Sequence, residues 1–223
     1  MRRVVARPRP VAPVDAVLIS HVHYDHLDFS SLRRVRTRRL VVPRGAGRLF
    51  MRRALGGVAE LGPGEQLSAG PLQVEATHAE HSARRGLVGP EIPALGYLVS
   101  GSVRVYFPGD TDIFPGMRDL QPGLDLALMP VAGWGPRLGP GHLDPARAAD
   151  ALRLLQPRVA IPIHWGTYRR VGLKRDPATL REPAESFARL ASEAAPQVEV
   201  RILAPGESTE VAPTLRAEET RNR

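Results

Sequence analysis

Apolar residues along this chain recur mostly in short, β-branched runs rather than at helical spacing. Residues 14–20, V-D-A-V-L-I-S, form such a run and read as a buried strand whose C-terminal end delivers whatever follows it. A short basic helix through Arg36 is expected next, capped by Ser30 or Ser31, then a strand over 40–43 and a helix over 47–55 that Gly56-Gly57 stops. The middle is strand-rich, with candidates at 58–61, 65–67, 72–77, 95–100 and 103–107 separated by Gly and Pro. Two further apolar strands are expected over 124–130 and 159–163. Between them D-P-A-R-A-A-D-A-L-R-L-L reads as a helix, with Asp144 as N-cap and Pro145 in the first turn. A last helix over 183–194 and a strand over 198–203 follow, and the charged tail beyond Pro213 is expected to fray.

No internal repeat, heptad or low-complexity linker interrupts this order. The 223 residues suffice for one domain with its own core, spanning 1–223, and are too few for two ordinary domains and a linker. Strands interleaved with helices predict a layered domain of the α/β or α+β kind, with the chemistry carried by loops at strand ends. The hydrophobic share is 43% but only 5% is aromatic, so small aliphatics build the core.

Composition narrows the chemistry. The formal charge is +8, which in isolation suggests a polyanionic partner. Every basic residue except Lys174 is arginine, however, alongside abundant Ala, Pro, Gly and Val, so the excess reads as a coding bias that scatters arginines over the surface. A nucleic-acid partner is therefore not expected. Without cysteine there is no disulfide, thiolate ligand or cysteine nucleophile, and any metal must be held by nitrogen and oxygen. The first thirteen residues are basic but lack the apolar core of a signal peptide, and no run is long enough to span a bilayer. A cytoplasmic protein without a transmembrane segment is expected.

Three of the seven histidines fall in His21-Val22-His23-Tyr24-Asp25-His26. Alternation in an extended segment puts the imidazoles of His21 and His23 on one side, while Asp25 and His26 turn toward a second point nearby. Two ligand sets from one loop imply two metals, and divalent ions such as zinc accept this mixture of nitrogen and carboxylate. Further ligand types stand at other strand ends. His78 and His81 lie in T-H-A-E-H-S, and either suits the site. Asp110 in F-P-G-D-T-D and His164 after V-A-I-P-I emerge at the tips of apolar strands. Taken alone, G-D-T-D is as readily an Asx turn, and His164 a core histidine.

Taken in order, H-x-H-x-D-H, T-H-A-E-H-S, F-P-G-D-T-D and I-P-I-H-W-G resemble the metallo-β-lactamase superfamily, in the branch of ascorbate-lactonate hydrolases and N-acyl-phosphatidylethanolamine phospholipase D. The likeness runs from Asp15 to about Val171. It implies a four-layer αββα sandwich of the α+β class. It also implies that His21, His23 and His81 hold one ion, that Asp25, His26 and His164 hold the other, and that Asp110 bridges both. His81 is preferred to His78 because the family motif is approximately P-A-x-H-[SW]. His142, in G-P-G-H-L-D-P, matches a substrate-contacting position of the phospholipase-like branch, although it also stands where a neighbour of the Asp144 helix cap would. Family members begin with two or more strands before the H-x-H-x-D-H segment, and this chain has too few residues there, so the first half-sheet is expected to lack its opening strands.

The resulting expectation is a dinuclear hydrolase in which a metal-bridging hydroxide attacks a small ester, lactone or phosphodiester, phospholipase-D-like chemistry included. Asp25 and Asp110 serve the catalytic centre, and His142 steadies developing charge. Two Zn2+ ions fit best, with Mn2+ or Fe2+ also accepted by such ligands. The substrate is expected to be a small molecule or lipid-like, lined by residues 133–136 including Trp134. A nuclease of the same fold and a non-catalytic, metal-binding regulatory protein are the competing readings, and the oligomeric state is open.

Overall fold

The computed structural model describes residues 2–3, 13–51, 55–86, 89–132, 138–169 and 180–213. Strand β1 (Arg2–Arg3) is followed by β2 (Val14–Leu18), helix α1 (Phe29–Leu32), β3 (Thr37–Pro43), β4 (Gly57–Leu61), β5 (Gln66–Ala69), β6 (Leu72–Arg84), β7 (Glu91–Ser100), β8 (Arg104–Phe107), β9 (Leu126–Pro130), α2 (Pro145–Leu155), β10 (Val159–Ile163), β11 (Tyr168–Arg169), α3 (Glu182–Ala194) and β12 (Glu199–Val200).

Two main sheets result. Strands β2, β3 and β4 form a three-stranded parallel sheet, and a seven-stranded mixed sheet runs in the order β12, β10, β9, β8, β7, β6, β5. The sheets pack face to face through Val41 and Leu61 on one side and Val74, Ala76, Leu95 and Tyr97 on the other. Helices α2 and α3 cover the far face of the large sheet, where Leu152, Leu155 and Phe187 meet Leu98, Tyr106 and Met129. Fully burying side chains of this kind stabilises by about 1.5–3 kcal/mol each. On the small sheet Leu32 and Phe50 lie over Leu40 and Val42, and they form a thin outer layer. The order helix, sheet, sheet, outer layer is the expected αββα sandwich with its last layer reduced.

The helices form for local reasons. Asp144 accepts a hydrogen bond from the Arg147 amide at 2.9 Å, Pro145 sets the first turn, and Ala148, Ala149, Ala151, Leu152 and Leu155 make one buried stripe. Helix α1 is a single turn capped by Asp28, whose carboxylate accepts from the amides of Ser30 and Ser31, so the two serines expected as caps are instead the capped residues.

Other expectations change. The helix expected over 47–55 is a 3-10 turn at Gly47–Leu49, at whose start Glu60 accepts from the Gly45 and Gly47 amides; residues 52–54 lie outside the described ones. A second 3-10 segment, Pro115–Leu120, was not anticipated. The final strand is two residues rather than six. Strand β6 continues seven residues past Thr77, taking His78 and His81 into the sheet. Among the described strands β2 pairs only with β3, and β1 pairs with β11 away from that sheet. The tail from 214 and residues 133–136 with Trp134 lie outside the described residues. No described helix is long and apolar enough to cross a membrane.

Candidate metal centre

Strand β2 hands its chain to the histidine segment under close control. The Ile19 amide donates to Val41 O at 2.9 Å in the small sheet, while Ser20 O accepts from the Leu95 amide at 2.8 Å in the large one. The segment is thus fixed where the two sheets meet. Beyond it the Leu27 amide closes a turn onto His23 O at 2.8 Å. From the far end of β6, Arg85 donates to Val22 O at 2.8 Å and Leu27 O at 2.9 Å, bracketing the whole turn.

Asp110 arrives from the other sheet. After β8 the chain passes Gly109 at φ +65°, where an added Cβ would lie 2.6 Å from Ser20 Cβ and 3.0 Å from Leu95 O. Only glycine tolerates this combination of left-handed backbone and close approach. His164 follows β10 directly and also takes a left-handed conformation, φ +64°. That conformation is unusual for a residue with a side chain and recurs at functional sites.

His81 reaches the same point through a break in β6. The pairing of β6 with β7 shifts register between His78 and Ser82. Before the shift Val74 and Ala76 face the small sheet; after it Ala79 and Ala83 are buried in the cluster that holds Ile19, Val22 and Leu27 of the histidine segment. His81 shares their parity and turns inward, whereas His78 stays exposed, 3.3 Å from Glu80 and edge-on to Phe114. The strand is pinned there by Thr111, whose hydroxyl accepts from the Glu80 amide at 2.9 Å, and by the Asp112 amide on Glu80 O at 3.0 Å.

All eight residues singled out for the site converge. Ring centroids of His21 lie 4.7 Å from His23, 4.0 Å from His26 and 4.7 Å from His81. His26 stacks on His164 at 5.3 Å, and His142 meets His81 at 4.7 Å. Asp110 Oδ2 sits 3.8 Å from His21 Nε2, 3.2 Å from His26 Nε2 and 3.8 Å from His142 Nε2; its Oδ1 is 3.7 Å from His164 Nε2. Asp25 Oδ2 is 3.8 Å from both His26 and His164. Four overlapping triads have donor atoms mutually within 4.8 Å: His21, His23 and His81; His21, His26 and Asp110; Asp25, His26 and His164; His81, Asp110 and His142.

The ring nitrogens facing away from this centre are tied down. His81 Nδ1 lies 2.8 Å from Gly141 O and His164 Nδ1 2.6 Å from Ala132 O, so each donates a proton and leaves Nε2 as a lone pair facing inward. Ser20 Oγ is 3.1 Å from His21 Nδ1. The inward nitrogens of His21 and His26 are buried without a hydrogen-bond partner, since the 3.2 Å approach of His26 to Asp110 is not aligned for one. Buried polar atoms are seldom left so. A cation is the partner such converging lone pairs and a carboxylate fit.

Electrostatics agree with neutral ligands around an ionised carboxylate. Burial, reinforced by the neighbouring His26, lowers His21 to about 2. Burial likewise lowers His23 and His81. For Asp110 burial alone would raise the carboxyl, but contact with His26 and the charges of His164 and His21 outweigh it and hold it well below the usual range. His26 is the counterpart: burial works against its charge, yet Asp110 and Asp25 raise it.

Sequence reasoning did not find Arg85, Ser20, Thr111 or the carbonyls of Gly141 and Ala132. The carbonyls carry no sequence signal, and nothing in R-R-G marks Arg85 as the residue that reaches back to position 22.

Comparison with known proteins matches this architecture. A family model described as a beta-lactamase superfamily domain covers residues 1–165. A UPF0173 metal-dependent hydrolase of Deinococcus radiodurans is 36% identical over 205 residues, which are 88% of this chain and 80% of that one. The N-acyl-phosphatidylethanolamine-hydrolyzing phospholipase D 1 of Caenorhabditis elegans is 31% identical over 176 residues, 70% of this chain but 49% of its own length. Igni18, a metallo hydrolase of Ignicoccus hospitalis, superposes with a TM-score of 0.66 at 23% identity over 86% of this chain and 77% of its own, a likeness of fold. With the family model spanning well over half of the chain and relatives matching along most of it, the chain belongs to the metallo-β-lactamase superfamily of metal-dependent hydrolases.

Proposed function

We propose that the chain is a dinuclear metal-dependent hydrolase that cleaves a small ester, lactone or phosphodiester. The observation that carries this reading is the pair of buried, unpartnered nitrogens, His21 Nε2 and His26 Nε2, facing one oxygen of Asp110. Leaving such a group unsatisfied costs about 1–3 kcal/mol, and two in one spot with a carboxylate between them answer to ions rather than to hydrogen bonds. His21, His23 and His81 would hold one ion, Asp25, His26 and His164 the other, and Asp110 would serve both. Zinc suits the nitrogen-rich set best, with manganese or iron as alternatives. When bound, such a pair supplies Lewis acidity and lowers the pKa of a water.

The chain's own residues do the rest. The carbonyls of Gly141 and Ala132 hold His81 and His164 in one tautomer, so their Nε2 atoms stay available as lone pairs. Asp25 stands at the rim with its side chain part-exposed, positioned to accept a proton from an attacking water. His142, also part-exposed, directs Nε2 toward Asp110 while Nδ1 lies 3.3 Å from Gly139 O and Pro140 O; with its proton on Nδ1 the neutral ring presents a lone pair at Nε2, and only the doubly protonated ring would donate from there to a substrate oxygen. The relative named for hydrolysing N-acyl-phosphatidylethanolamine supports including a lipid phosphodiester in the substrate class.

The test is metal stripping followed by reloading with zinc or manganese, with metal content and hydrolysis of bis-p-nitrophenyl phosphate and a lactone panel measured together. Turnover should return as the second equivalent of metal is bound, and Asp110→Asn should lower kcat at least a hundredfold. Turnover that survives chelation, or saturates at one equivalent, overturns the dinuclear reading; uptake of metal with no turnover on any substrate favours the regulatory one.

A further inference from the structure

The net charge of +8 is not scattered over the chain. Residues 29–59 contain nine arginines and no aspartate or glutamate, so the rest of the molecule taken together is slightly acidic. A coding bias decides that a basic residue is arginine. It does not decide where arginines gather or why acids avoid the same stretch.

That stretch supplies β3, the first part of β4 and the thin outer layer over the small sheet. Leu32, Leu49, Phe50 and Leu55 turn inward onto Leu40 and Val42, so the exposed residues of the layer look outward. Arg33, Arg34, Arg36 and Arg48 are exposed there, and alternation along β3 puts exposed Arg38 on the same side as Leu40 and Val42. None of these five has an ion-pair partner among the described residues. The acids flanking the stretch are engaged locally, Asp28 by the amides of Ser30 and Ser31 and Glu60 by those of Gly45 and Gly47. Arg39 and Arg44 belong elsewhere, donating to Ser68 O and pairing with Glu65. Arg52 and Arg53 lie outside the described residues. Two exposed large hydrophobics belong to the same stretch: Met51, 81% exposed and next to Phe50 of the layer, and Val58, 38% exposed and in register with Leu40.

We propose that this outer layer docks on a membrane surface carrying anionic phospholipid. Unpaired arginines beside a projecting methionine match both components of such a surface, phosphate-level charge and the apolar region beneath it. A nucleic acid would answer the charge but offer nothing to Met51 and Val58. Of the aromatic rings within residues 29–59, Phe29 is half-buried and Phe50 buried, and the exposed Tyr24 nearby is already covered by the Arg85 guanidinium at 4.3 Å, which leaves little for base stacking. This inference stands apart from the hydrolase reading and does not depend on it.

Co-sedimentation of the full chain with phosphatidylcholine vesicles, with and without phosphatidylserine, tests it at two salt concentrations. Binding should require phosphatidylserine and weaken with salt. The triple variant Arg33→Gln, Arg34→Gln, Arg36→Gln should lose on the order of a hundredfold in partition coefficient, at roughly fivefold per arginine. Met51→Ser should lose about tenfold. Unchanged thermal midpoints show that both variants fold. The proposal is overturned if phosphatidylserine has no effect, if the triple variant binds like the parent, or if the chain binds an oligonucleotide more tightly than vesicles and Met51→Ser alters neither.

Discussion

Arg85→Met removes one guanidinium and leaves a side chain of similar bulk, and it isolates the part Arg85 plays in holding the ligand segment. The parent side chain donates to Val22 O at 2.8 Å and Leu27 O at 2.9 Å, and both of those residues are fully buried. It also lies 4.3 Å from the Tyr24 ring centroid and 5.1 Å from that of Phe29. Hydrogen bonds from a charged donor contribute about 1.5–3 kcal/mol each, and half-burial of the arginine places these at the low end. With a cation–π contribution of about 0.5–1 kcal/mol, the loss should be about 3–4 kcal/mol. For a chain of this size that corresponds to a fall in melting temperature of roughly 6–16 °C. The bonds bracket His23, Asp25 and His26, so the variant should also lose about ten- to a hundredfold in metal affinity, as positioning partners of ligands do. Thermal unfolding and a chromophoric chelator competition measure the two effects. Arg85→Lys should recover only part of each, because both bonds come from Nη1, and the shorter lysine side chain does not carry its ammonium to that position. A methionine variant that melts lower yet binds metal as the parent does would refute the positioning role.

Three further outcomes follow from the same geometry. His81→Ala should abolish binding of one metal equivalent and lower kcat at least a hundredfold, whereas His78→Ala should change stability by no more than about 0.5 kcal/mol and leave metal content intact; equal losses would refute the inward assignment of His81. Gly109→Ala combines left-handed strain with a clash against Ser20 and Leu95, and should cost about 2–4 kcal/mol in denaturant unfolding while displacing Asp110 enough to weaken metal binding. In the chelated protein His21, His23 and His81 are held neutral by burial, so below about 6.5 the unfolded chain takes up protons that these residues refuse, and stability falls with pH. His26 acts oppositely: its contribution is full below about 6.5 and is lost as pH rises through its raised folded value. Three against one predict a lower urea midpoint at about pH 5.5 than at about pH 7.5, and a higher one would refute the balance.

What could be read from the sequence was whatever depends on neighbours along the chain. The apolar run ending at Ser20, the D-P start of α2 and the spacing of H-x-H-x-D-H each express local backbone preference, and the four motifs in order carried the family and its sandwich. Even locally, hydrogen-bond competition decided details. Asp28 rather than Ser30 caps α1, because its longer-reaching carboxylate accepts from two amides at once. Over residues 47–55 the structure has only a 3-10 turn at Gly47–Leu49, with Glu60 accepting from the amides of Gly45 and Gly47 at its start.

Only the tertiary structure decided which side chains face one another. Simple alternation along β6 could not choose between His78 and His81, since the register shift that turns His81 inward is set by pairing with β7 and by Thr111 on another strand end. The same holds for Arg85, which works at a distance of about sixty residues on carbonyls that look identical in any sequence. The arginines of the outer layer were countable from the letters alone, but that five of them stand exposed and without an ion-pair partner among the described residues followed only once the small sheet had packed. A chain encodes its donors and acceptors residue by residue; packing two sheets face to face determines which of them are left without a partner, and at this site those are the atoms that bind metal in our reading.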